Sequence, residues 1–79
     1  MDEKKFYRML DEILGLDLGT INGNESLSNA GLFDSLSMLG LISLLDMDFG
    51  IQTEPNKIIK IGTIFDLFQM VRIKDFSAF

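Results

Sequence analysis

The chain has 79 residues, a net charge of −5, no cysteine and no histidine. That length holds one domain, near the lower limit at which a single core is stable without staples. Such a composition excludes disulfides, thiolate chemistry and zinc–thiolate sites, and removes the commonest general base and nucleophile.

Residues 2–14 are predicted to form a helix. Phe6, Leu10, Ile13 and Leu14 share one face with Met9 beside them, and Asp2 and Glu3 suit its first turn. The charged, helical pattern of residues 1–10 does not read as a signal peptide. Gly15 is the expected stop. A long connection follows, over roughly residues 15–33, holding Gly15, Gly19, Gly23 and Gly31. Loops of that length need anchors, and Leu16, Leu18, Ile21, Leu27 and Leu32 are the expected ones. Asn24 to Ser26 spells a glycosylation sequon, which has no meaning without secretion.

The second helix is predicted over residues 35–49. Nine of the fourteen residues after Ser35 are apolar, too many for one buried stripe. At about 100° per residue, Met38, Leu41, Ile42, Leu45 and Phe49 form a broad core face. The opposite side carries Leu36, Leu39, Gly40, Ser43 and Met47. Exposed apolar patches on monomers mark binding surfaces. Packing under the long loop is the alternative, stronger for Leu39 than for Leu36 or Met47.

Gly50 ends this helix, and Pro55 suits the first position of a short third one through about Ile59. Thr63 with Asp66 makes an approximate capping box, and Ile64, Leu67, Phe68 and Val71 give a last amphipathic helix to about Ile73. No period-2 strand pattern is convincing; "FGIQT" is the nearest candidate. Residues 1–79 read as one domain with a frayed tail at about 75–79. The expected core is Phe6, Leu10, Leu41, Leu45, Phe49, Ile64, Leu67 and Phe68. No apolar run reaches the roughly 18 residues of a membrane span.

Charge is segregated. From Met9 to Glu54 there are eight acids and no lysine or arginine, whereas the first eight residues sum to +1 and residues 55–79 to +2. An acidic middle repels phosphate backbones, which argues against nucleic acid, and attracts a partner with a basic patch. These acids read as a solvated surface rather than a catalytic carboxylate pair. Asp46, Asp48 and Gly50 hint at a calcium loop, but Gly50 stands where the fifth position needs Asp or Asn. The twelfth position is Lys57 rather than Glu, so no metal site is assigned. A cysteine-free chain suits a reducing, cytoplasmic location.

Ser35 is the remaining candidate. Asp34 is placed to cap the second helix, leaving Ser35 in its first turn with the hydroxyl exposed. A phosphate ester there would sit at the positive end of the helix dipole, near free backbone N–H groups. No lysine lies close in sequence to activate the serine, so chemistry at Ser35 must come from an enzyme acting in trans. Taken alone, Asp-Ser-Leu is equally a capping sequence.

Its surroundings add more. "SLSNAGLFDSLSMLGLISLLDMDFGI" (residues 26–51) resembles the phosphopantetheine attachment region of acyl carrier proteins. Gly31-Leu32-Phe33-Asp34-Ser35-Leu36 matches that family's glycine, apolar pair and Asp-Ser-Leu. Glu25-Ser26-Leu27 stands where the family often has "SL", and Phe49-Gly50-Ile51 matches the end of its second helix. Pro55 and residues 61–64 fit its third and fourth helices. The resemblance implies an all-α four-helix bundle with a long first loop and a short third helix. It also implies 4′-phosphopantetheine on Ser35, attached by a phosphopantetheinyl transferase and carrying intermediates as thioesters.

The protein is therefore expected to be a stand-alone monomeric carrier rather than an enzyme, serving loading and processing enzymes in fatty acid or polyketide synthesis. Asp34, Leu36, Leu39, Gly40, Asp46 and Met47 are expected to line the partner surface. Met38, Ile42, Leu45, Ile59 and Ile64 are the candidates for lining an acyl chain. Family second helices are often richer in acids; Gly40, Ser43 and Met47 depart from that and favour a specialised pathway. An aminoacyl or D-alanyl carrier is the nearest alternative, and an unmodified helical interaction domain a further one.

Overall fold

A computed structural model describes residues 2–73; the tail expected to fray lies outside them. Four helices follow in order: α1 (Glu3–Leu14), α2 (Ser35–Phe49), α3 (Pro55–Ile61) and α4 (Ile64–Ile73). No strand forms among the described residues, "FGIQT" included; one isolated antiparallel bridge joins Ser26 to Thr63. No helix among them is long and apolar enough to cross a membrane.

Local chemistry sets each boundary. Asp2 caps α1 from outside, its carboxylate accepting the Lys4 N–H at 3.3 Å, so the helix starts one residue later than its pattern suggests. Gly15 and Gly50 close α1 and α2 in the left-handed conformation, φ 70° and 67°, which only glycine adopts freely. α3 runs to Ile61, two residues past the expected end. Thr63 and Asp66 form a reciprocal cap: the Thr63 N–H donates to Asp66 Oδ2 at 3.0 Å, and the Asp66 N–H to Thr63 Oγ1 at 3.2 Å.

The core is the expected one with additions. Phe6, Leu10, Leu41, Leu45, Ile64, Leu67 and Phe68 are buried, joined by Tyr7, Met38, Ile58 and Val71. Phe49 is the departure: it is half-buried at the rim, edge-on to Phe6 with ring centroids 6.0 Å apart. α1 crosses α2 closely at Gly40, where a Cβ would stand 2.9 Å from Ile13 Cγ2. Gly40 therefore faces α1 rather than the open side of α2 on which its helical angle put it.

The long connection is ordered by a residue whose type suggested solvent. Asp11 on α1 is fully buried, and its carboxylate accepts the Gly19 N–H and the Ile21 N–H, each at 2.9 Å. Reading the acids as a solvated surface fails here, because a buried carboxylate is tolerated where it is hydrogen-bonded. The Glu25 carboxylate accepts the Asn22 and Gly23 N–H groups at 3.0 and 2.9 Å. Beyond it, the Ile64 and Phe65 N–H groups donate to the Glu25 and Gly23 carbonyls, so loop backbone satisfies the orphan donors of α4. Of the expected anchors, Ile21 and Leu27 are buried and Leu16 and Leu32 half-buried. Leu18 is not an anchor; it is 65% exposed. It sits at the corner of a turn closed by the Thr20 N–H on the Asp17 carbonyl.

Tyr7 closes this layer against Gly23, where a Cβ would run into the phenol (φ 100°). Its hydroxyl donates to Glu3 Oε1 at 2.8 Å. Burial pushes the Tyr7 phenol above its usual range, and the Glu3 carboxylate adds to the rise. A raised folded-state pKa contributes stability that is fully present below the unfolded value of about 10 and is lost as pH rises through the folded value. Stability should therefore fall above about pH 10, and Tyr7→Phe should remove that alkaline loss. Because Tyr7 is the single tyrosine, phenolate absorbance measures it directly. Titration at the free-tyrosine value in the folded protein would refute the assignment.

Candidate functional site

Ser35 is the first residue of α2, and the loop before it is fixed on both sides. Phe33 is buried, and its N–H donates to the Asn29 carbonyl at 2.8 Å. Asp34 follows in extended conformation as the N-cap, its Oδ1 accepting the Ser37 N–H at 2.8 Å. Ser35 is left exposed at the helix start, beside backbone donors that have no intrahelical acceptor.

Hydrogen bonding from Ser37 holds the Asp34 carboxyl below the usual carboxylate range. A lowered folded-state pKa contributes stability present above the unfolded value and lost as pH falls through the folded one. The cap therefore persists into mildly acidic solution, and the charge beside Ser35 stays negative at neutral pH.

An open groove of about 320 Å³ lies against the serine. Phe33, Asp34, Ser35, Met38 and Leu39 form one wall, and Pro55 and Ile59 of α3 the other. Of the five residues expected to line an acyl chain, Met38 and Ile59 are in this groove. Leu45 and Ile64 are not: both are fully buried in the bundle. Ile42 is half-buried against the core. The periodicity of α2 could not reveal Phe33 and Pro55, which lie outside that helix. Leu39 joins them, so one residue borders both the groove and the open side of α2.

The expected partner residues Leu36, Leu39 and Met47 are 79%, 59% and 82% exposed. Asp34 and Asp46 are exposed with them. A larger pocket, about 470 Å³, lies away from Ser35, between α1 and the first loop. Its acids are already engaged: Asp11 holds the loop amides and Glu3 accepts from Tyr7. Among the described residues no group of three or more Asp or Glu is placed to hold a metal ion.

An exposed hydroxyl at a capped helix start, with an apolar groove beside it, has the chemistry of an attachment point. The family model described as "Phosphopantetheine attachment site" matches residues 4–71. The chain belongs to the phosphopantetheine-attachment family. Its members carry covalently attached 4′-phosphopantetheine, and their carrier domains are themselves non-catalytic. No curated protein and no solved structure matches the chain. The four helices of this carrier domain fit the acyl-carrier type of bundle, with its long first connection and short third helix.

The residues present suit the arm. Ser35, exposed at the helix start, would offer an accessible oxygen for a phosphoester, the start of α2 favours an anion, and the groove offers apolar surface beside it.

Proposed function

We propose that this protein is an acyl carrier whose arm is attached at Ser35. The observation that carries the reading is the exposed Ser35 at the capped start of α2, opening on an apolar groove. In the loading step Ser35 Oγ forms a phosphoester with the 4′-phosphopantetheine unit of coenzyme A. The adenosine bisphosphate leaves, and the serine proton passes to a base of the transferase. When bound, the arm supplies a terminal thiol that holds cargo as a thioester. This chain's own residues hold the attachment point at a rigid helix start and offer Met38, Leu39 and Ile59 as apolar contacts.

An aminoacyl carrier is the second reading. It is favoured by Asp34, the one ionised group lining the groove, which suits an ammonium.

Incubation of the apo protein with coenzyme A and a broad phosphopantetheinyl transferase should add one arm by intact mass; no adduct would end both readings. The holo protein is then loaded chemically with acetyl, octanoyl and alanyl groups. Each methylene leaving water contributes roughly 0.8 kcal/mol. The octanoyl form should therefore melt above the acetyl form, and the alanyl form should not. An octanoyl form that melts no higher than the acetyl form, with a stabilised alanyl form, would favour the aminoacyl carrier.

A further inference from the structure

Of the four asparagines only Asn22 precedes a glycine; Asn24, Asn29 and Asn56 precede Glu25, Ala30 and Lys57. Asparagine is chemically labile, most of all before glycine, which has no side chain to hinder attack by its own backbone nitrogen on the asparagine amide. The fold requires that glycine: Gly23 has φ 100°, and a Cβ there would run into the Tyr7 phenol. Asn22 is exposed and lines the larger pocket beside α1, so water reaches it. Glu25 stands against the reaction. Its carboxylate accepts the Asn22 and Gly23 N–H groups at 3.0 and 2.9 Å, so the attacking nitrogen keeps its proton beside a negative charge. The segment is held at two further points. Asn22 Oδ1 accepts the Asn24 N–H, and the Gly23 carbonyl accepts the Phe65 N–H, each at 2.9 Å.

We infer that Asn22 is a site of spontaneous deamidation gated by the Glu25 carboxylate. When this clamp opens, the Gly23 nitrogen gives its proton to solvent base and attacks Asn22 Cγ. The new N–Cγ bond displaces the side-chain nitrogen, which takes a proton from solvent and leaves as ammonia. Water then opens the cyclic imide at either carbonyl, leaving an aspartate or a β-linked isoaspartate at position 22. Either product sets a new carboxylate near Glu25. The β-linked one also lengthens the backbone by a methylene where the loop is tied to the start of α4. The ammonia is lost to solution, so the change is one-way. The chemistry is independent of whether Ser35 carries an arm.

The test is incubation of the full chain in mildly alkaline buffer, with peptide mass and an isoaspartyl assay reporting on each asparagine. Conversion should be confined to position 22, and the chain unfolded in urea should convert at least about tenfold faster than the folded one. Glu25→Gln keeps the shape but turns one acceptor into a donor facing a backbone N–H. It should speed conversion of the folded chain by at least about tenfold, the worth of a hydrogen bond to a charged group. Urea below the unfolding transition separates clamp opening from global unfolding. A local opening exposes little surface, so the rate should stay flat there, whereas conversion through the unfolded chain climbs steeply. That slope, measured on the unaltered chain, decides the matter even where Glu25→Gln fails to fold. A steep slope would overturn the gate, as would a folded Glu25→Gln that converts no faster than the unaltered chain. Equal conversion at Asn24 or Asn29, or none at position 22 in the unfolded chain, would overturn the site itself.

Discussion

Ser35→Ala is expected to fold normally and to gain no mass from coenzyme A and transferase, whereas the unaltered chain gains one arm. The effect should be all or none, because the substitution removes the oxygen through which the proposed phosphoester would form. Folding should survive: Ser35 is exposed, and alanine is the best helix former for a first-turn position. Its neighbour provides the internal control. Ser37 has a hydroxyl only two residues away, but its N–H is tied to Asp34 and its side chain is half-buried. Ser37→Ala should therefore load close to normally. Asp34→Asn separates two further roles, since asparagine still caps a helix but lacks the charge. Slowed loading with unchanged melting would make the carboxylate a recognition element; normal loading with unchanged melting would leave Asp34 a cap alone. An arm found on Ser35→Ala would move the attachment point elsewhere.

Much of the bundle was legible because its signals are local. Asp2, Gly15, Gly50, Pro55 and the Thr63–Asp66 pair act within a turn of where they stand, and each sets a boundary close to its expected place. The apolar repeats of α1 and α4 likewise reported their buried faces. The second helix was harder because it is apolar nearly all round. Periodicity alone could not tell that Gly40 meets Ile13 rather than the open side. That distinction depends on where α1 crosses, a property of two helices and of no single window of sequence.

The site divides in the same way. The Asp34 cap and the exposed helix start at Ser35 were readable from cap chemistry. The groove was not, because its walls come from the end of the first loop, α2 and α3 together. Leu45 and Ile64 looked suited to line a cargo channel, being aliphatic and on core-facing positions. Both are fully buried in the bundle, so they border the interior rather than the open groove, and the apolar surface beside the serine comes from Phe33, Met38, Leu39, Pro55 and Ile59. The octanoyl melting comparison measures whether that surface shelters cargo.

Asp11 provides the second large effect and the sharpest test of how the long loop is held. A loop of nineteen residues between Gly15 and Phe33 cannot rely on propensity, and here its first turns hang on one carboxylate. Asp11→Asn keeps the shape but turns one acceptor into a donor facing a backbone N–H. An unsatisfied buried donor costs about 1–3 kcal/mol, so the asparagine variant should lose that much in urea denaturation. Asp11→Ala strips both bonds and should lose about 2–6 kcal/mol, twice that range. Small domains have about 5–15 kcal/mol in all, so the alanine variant should stand near the edge of folding. Leu45→Ala, a cavity in the bundle, should cost a comparable 2–5 kcal/mol or so. The two losses differ in where they fall. Hydrogen exchange in Asp11→Asn should quicken first at Gly19 and Ile21, with α2 and α4 amides following only the modest global loss. In Leu45→Ala, protection should drop across all four helices together. Uniform loss in both variants would mean that Asp11 is one more core residue and that the hydrophobic anchors, Ile21 and Leu27, hold the loop without it.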